Sequence, residues 1–284
     1  MHNILEVKIV QESLDHPECL AFGPSGMLYA GGEAGQIYKI DIRAKKVEQI
    51  ASLGGFVCGV TVDGDENVYA CVTTTHVVTK IHPDRTTAVF CDKAERSPLK
   101  TPNFSVFDSR GDMYLTDSGD FRHATGRLLR VHRDGTSESL LGDYLNFPNG
   151  LALSADGKTL YMIESTSSKI SKVPIERDGS LGAPETYAQV QGTVPDGMAF
   201  DKSGNLYVGC YTPDIILKVD TNRNVSTLIE DKSSEVVNRP TNVAFRPVKD
   251  STELYFANLG WWHICSLDVH VPGQPLNYPR LSKS

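Results

Sequence analysis

The chain has 284 residues, 40% of them hydrophobic, and a formal net charge of -7. Its acids are scattered rather than gathered into runs, so neither nucleic acid nor a membrane is an expected partner, and no apolar stretch has the length of a bilayer span. The six cysteines (Cys19, Cys58, Cys71, Cys91, Cys210, Cys265) show no C-x-x-C spacing and read as reduced core thiols.

In chain order, MHNILEVKIVQE lacks the basic-then-apolar form of a secretion signal, which gives a cytoplasmic location as the expectation. Within it Leu5 to Val10 alternates apolar and polar residues and belongs to no repeat. The rest of the chain is built on one unit, seen most clearly in Pro195 to Tyr211, PDGMAFDKSGNLYVGCY. A Pro-acidic-Gly opening leads into a short apolar run, a polar Asp-Lys-Ser-Gly turn and a second apolar run, which reads as strand, turn, strand.

Aligned on the tyrosine of the second strand, the unit recurs at Tyr29, Tyr69, Tyr114, Tyr161, Tyr207 and Tyr255, with spacings of 40, 45, 47, 46 and 48 residues. A third and usually a fourth apolar run follow each tyrosine. Four short strands repeating at this interval predict an all-β, six-bladed β-propeller with four-stranded antiparallel blades. The last blade shows only three strands, near 243–246, 253–257 and 263–268, so the N-terminal segment is expected to supply its outer strand and close the ring. The expected limits are one domain over residues 1–270 and an irregular C-terminal tail over 271–284.

In a propeller the first strand of each blade faces the axis. The six openings therefore place Glu18, Cys58, Asn103, Asn149, Asp196 and Thr241 in one ring. Two carboxylates and two carboxamides meeting there form an oxygen cage with a formal charge of -2, a conflict that a divalent cation resolves. Hard oxygen donors suit Ca²⁺, Mg²⁺ or Mn²⁺ better than Zn²⁺. No G-x-S-x-G elbow and no phosphate-binding loop is present, and the abundant glycines are assigned to hairpin turns.

The openings Glu18, Asn103, Pro148-Asn149-Gly150 and Pro195-Asp196-Gly197 resemble those of the SMP-30/gluconolactonase/luciferin-regenerating-enzyme-like propellers, a family also similar to the diisopropyl-fluorophosphatase type. The resemblance covers about residues 14 to 268, and its most specific parts are FPNGLALSADGKTLY and PDGMAFDKSGNLY. It implies one divalent cation, often calcium, and hydrolysis of a small-molecule lactone or related ester. It also implies Glu18, Asn149 and Asp196 as metal ligands, Asn103 as a fourth ligand that also touches substrate, and Asp196 as general acid or base. Thr101 and Phe121 stand where sugar-lactone members carry a basic and an acidic residue, which argues against an aldonolactone. Candidate substrate contacts in the loops at the channel mouth are Asp117, Arg122, His123, Tyr211 and Trp262, besides Asn103. A strictosidine-synthase-like propeller, or a binding scaffold with a structural ion, is the alternative reading.

Overall fold

A computed structural model describes residues 1–281. Six four-stranded antiparallel sheets follow one another around an axis. Their innermost strands are Cys19–Phe22, Val57–Val62, Pro102–Phe107, Pro148–Leu153, Val194–Phe200 and Val243–Phe245. Each repeat tyrosine pairs with the innermost strand on one side and with the third strand on the other, as in Ala199↔Tyr207↔Lys218 and Ala21↔Tyr29↔Lys39. Five of these rings are essentially buried, and Lys39, Lys80 and Lys218 lie 5.4–5.8 Å over their partner's centroid, so a charged outer face is tied to the core through an aromatic one.

The turns obey the same repetition. In Asp63-Gly-Asp-Glu-Asn67-Val-Tyr69 the Asp63 carboxylate accepts two backbone N–H bonds, the Asn67 amide and the Tyr69 hydroxyl. Asp201 does the same for Ser203, Asn205 and Tyr207. These acids hold hairpins together.

The N-terminal strand closes the ring as expected, pairing Lys8 with Ser266 and Ile9 with Cys265 in the last blade. It runs over Lys8–Gln11 rather than from Leu5, because Asn3 and Glu6 form a capping box that winds Ile4–Glu6 into a 3-10 turn. The segment after residue 270 carries no strand, only one bridge between Gly273 and Asp201. It is nonetheless a strap across the face opposite the ring of openings. Its contacts visit every blade: Lys202 and Phe200 bond to Pro272 and Gln274, Gly273 abuts Phe245, and Gln274 and Asn277 donate to the carbonyls of Leu153 and Phe107. Beyond these, Tyr278 donates to the Phe22 carbonyl and Gly64 to that of Pro279. Residues 282–284 of the expected tail lie outside the described residues. Between strap and ring lies a cavity of about 200 Å³ walled by Leu20, Val60, Phe104, Leu151, Met198 and Phe245.

Candidate metal centre

A hydrogen-bond and contact belt sews the six ring positions together. The Thr241 hydroxyl donates to the Glu18 carbonyl at 2.7 Å, and the Cys19 thiol reaches the Val57 carbonyl at 3.5 Å. Gly59 lies on the carbonyl of Asn103, Thr116 donates to that of Asn149 at 2.9 Å, and Gly150 lies on that of Asp196. Gly197 N–H then donates to Thr241 at 2.6 Å and completes the circuit. A Cβ on Gly59 or Gly150 would fall inside the neighbouring carbonyl, and one on Gly197 would sit 2.9 Å from the Thr241 oxygen. None of the three has a positive φ. The assignment of glycines to hairpin turns is thus corrected for these: they sit inside innermost strands and let adjacent strands close on the axis.

Glu18, Asn103, Asn149 and Asp196 are each no more than 8% exposed. Burial, in first place, and the Asp196 charge push the Glu18 carboxyl well above the usual range. Burial raises Asp196 to about 8, against which an Asn149 hydrogen bond works. Among the described residues, Glu18 Oε2, Asn103 Oδ1 and Asn149 Oδ1 find no hydrogen-bond partner. Orphaned oxygens on Glu18, Asn103 and Asn149, with two buried acids, Glu18 and Asp196, that resist ionising, are the arrangement a bound cation satisfies, so the donors fit a hard divalent ion. Cys58 is half-buried and its thiol is raised by burial and by Glu18 and Asp196. With a protonated thiol there and the Thr241 hydroxyl turned to a carbonyl, the donors concentrate on four of the six blades.

Sequence reasoning missed the hydroxyls that aim these donors. Ser118 donates to the Pro148 carbonyl at 2.6 Å, and Ser165 to the Pro195 carbonyl at 2.7 Å, each pinning the Pro before a ring residue of the next blade. Ser165 also accepts from Asn149 Nδ2 at 3.3 Å, which turns Oδ1 to the unpartnered side. The signal was present: both serines stand four residues beyond their repeat tyrosine. Ser165→Ala is expected to weaken divalent-cation affinity several-fold in a calorimetric titration with the melting temperature little changed. Unaltered affinity would show that Asn149 needs no such support.

The chain matches the model for the SMP-30/Gluconolactonase/LRE-like region over residues 9–259. It belongs to that family. Among curated relatives it is 29% identical over 181 residues to the lactonase drp35 of Staphylococcus aureus strain MW2 (61% of this chain, 52% of the relative) and 28% identical over 189 residues to that of Staphylococcus haemolyticus (62% and 57%). The matches thus span little more than half the length of these relatives. Among solved structures, a Xanthomonas campestris protein described as a gluconolactonase superposes with a TM-score of 0.78 at 18% identity, over 96% of this chain and 93% of its own. A calcium-binding protein, regucalcin, from Agrobacterium tumefaciens gives 0.78 at 16%, over 97% and 98%. At such identities the structural likeness speaks for the fold.

In this SMP-30/gluconolactonase/LRE-like chain the candidate substrate residues are not placed alike. Asp117 is fully buried, ion-paired with Arg127 at 2.8 Å and accepting from the backbone of Lys100 and Thr101. That departs from the expectation of a substrate contact. Glu164 and Asn258, at the same place in their blades, brace Asn146 and Asn238 in the same manner, so this position supports the approach to the ring. Arg122 and His123 stand on an exposed loop, His123 within 3.3 Å of Asp120. Trp262 is 58% exposed and its indole N–H donates to His16 Nε2 at 2.8 Å, while His16 Nδ1 faces Asp15 and Glu33. Those three form a ligand-type cluster of which only Glu33 is exposed, yet Asp15 is already committed to Ala34, Gln36 and His16. Tyr211 is half-buried beneath Arg239. All six cysteines are free, and among the described residues no helix is long and apolar enough to cross a membrane.

Proposed function

We propose that the chain is a divalent-cation-dependent hydrolase that opens a lactone or related ester at the mouth of its channel. The observation that carries this reading is the trio of unpartnered buried oxygens on Glu18, Asn103 and Asn149 beside the Asp196 carboxyl. A propeller scaffold without an ion gains nothing from acids buried at its axis. The lactonases among its relatives support the same reaction class.

Glu18, Asn103, Asn149 and Asp196 would hold the ion. Ca²⁺ is the first choice for an all-oxygen set, before Mg²⁺, Mn²⁺ or Zn²⁺. When bound, it supplies positive charge to an acyl oxygen. Asp196 accepts a proton from water as the water oxygen bonds to the acyl carbon. It returns that proton to the departing alkoxide as the acyl C–O bond breaks, leaving a hydroxy acid. Asn103 orients the acyl group, and Arg122, His123, Tyr211 and Trp262 meet the remainder of the substrate. Burial of the four ring residues keeps bulk water from the reacting atoms. The free thiols agree with a reducing, cytoplasmic setting.

The test is a panel of lactones and aryl esters, assayed with Ca²⁺ and with excess chelator. Hydrolysis of at least one lactone that chelator abolishes and Ca²⁺ restores is the expected result. Tight Ca²⁺ binding with no turnover of any compound would favour the scaffold reading.

A further inference from the structure

Two residues before each ring position stand His16, Phe56, Thr101, Phe147, Val194 and Arg239. All six are partly or fully exposed, whereas the ring below them is buried except at Cys58, so they form a collar at the channel mouth. His16, Phe147 and Arg239 share an unusual backbone, with φ of 38°, 53° and 49°, and each immediately precedes a proline. A left-handed non-glycine residue is strained and persists only where its surroundings enforce it. Its recurrence at equivalent places in three blades makes it a feature of the mouth rather than of one loop.

Arg239 is the one fixed charge in this collar, and it is held firmly. Its N–H donates to Asp214 Oδ1 at 2.7 Å, its carbonyl accepts from Leu259 N–H at 3.1 Å, and its guanidinium lies 4.9 Å from the centroid of the Tyr211 ring. The other oxygen of Asp214 accepts from the Ser234 hydroxyl. Among the described residues the guanidinium joins no ion pair, although it belongs to a chain of net charge -7. Tyr211 follows Cys210, whose strand partner is Pro195, the residue before Asp196. The Arg239–Tyr211 stack therefore bridges the blade of Asp196 and that of Thr241. On one side of Arg239 the collar is apolar: Val194 stands in the next blade, and in the blade beyond it Phe147 meets Phe121 edge to face at 5.0 Å.

We infer that the site takes an acyl substrate bearing an anionic group such as a carboxylate, seated on Arg239, with its apolar part against Phe147 and Phe121. A planar guanidinium already stacked and without an acid partner loses little on pairing with a carboxylate, and its fork of N–H donors is the shape that binds a carboxylate bidentately. The inference rests on the hydrolase reading above and extends it to the class of substrate.

The test uses the full chain with Ca²⁺, a lactone carrying a free carboxylate and its neutral methyl ester. The wild type is expected to favour the carboxylate by about tenfold or more in kcat/KM, mostly through KM, an advantage that shrinks as ionic strength rises. Arg239→Gln should bring the ratio of the two substrates close to one, and Arg239→Lys should keep part of it. A wild-type preference for the methyl ester, or an Arg239→Gln variant that slows both substrates equally, would overturn the inference. Turnover of neither compound would count against the hydrolase reading alone. Calorimetric binding of the carboxylate lactone would then decide on Arg239: about tenfold weaker binding in Arg239→Gln supports the seat, and equal binding removes it.

Discussion

Asp196→Asn should lower lactone hydrolysis by about 10²–10⁴-fold while leaving a folded propeller, because the change removes the proton acceptor and keeps the shape of the side chain. The innermost strand around it is fixed by contacts that the substitution does not touch: the Ser165 bond to the Pro195 carbonyl, the Gly197 bond to Thr241 and the seat of Gly150 against the Asp196 carbonyl. Circular dichroism and melting should confirm the fold. Activity within a few-fold of wild type would assign the proton transfer to another group.

The second large effect is on stability. In chelator, the wild-type protein should lose stability as pH rises through the range from about 4 to about 8. Asp196 titrates near the ordinary aspartate value of 3.8 in the unfolded chain and is raised by burial to about 8 in the folded one. Over that window the native state holds a proton that the unfolded state has released, so the slope of unfolding free energy against pH is negative. Glu18, raised by burial and by Asp196, acts in the same direction. Saturating Ca²⁺ should raise the melting temperature most at the alkaline end of this range, where the acids it pairs with are most costly to leave alone. Asp196→Asn should flatten the profile in chelator. A wild-type profile that is already flat between pH 5 and 8 would mean that the two acids are solvated rather than opposed.

The ring was legible in the sequence because rotational repetition converts place in the repeat into place around the axis. Once the tyrosines were in register, Glu18, Asn103, Asn149 and Asp196 had to share one level, and the closing strand followed from the missing fourth strand of the last blade. Asp117 was harder to place. Position alone put it at the mouth, but its partner Arg127 lies on the next strand and takes its charge into the core. The strap over residues 272–281 was unreadable for a different reason. Its bonds run from side chains and isolated backbone groups to strand ends and turns in five blades, with Gly273 packed on the sixth and no periodicity to announce them. The close-approach glycines were misassigned because a glycine in a strand looks the same in sequence as one in a turn. What distinguishes them is the carbonyl of the adjacent blade.

The central claim is that side chains from four blades share one cation at the axis. Calorimetric titration of the chelator-treated protein with Ca²⁺ tests it most directly. One site per chain is expected, with affinity reduced about tenfold or more by Glu18→Gln, since a buried carboxylate with an orphaned oxygen is replaced by a neutral amide. Wild-type affinity retained in that variant would move the ion away from the channel and contradict the account.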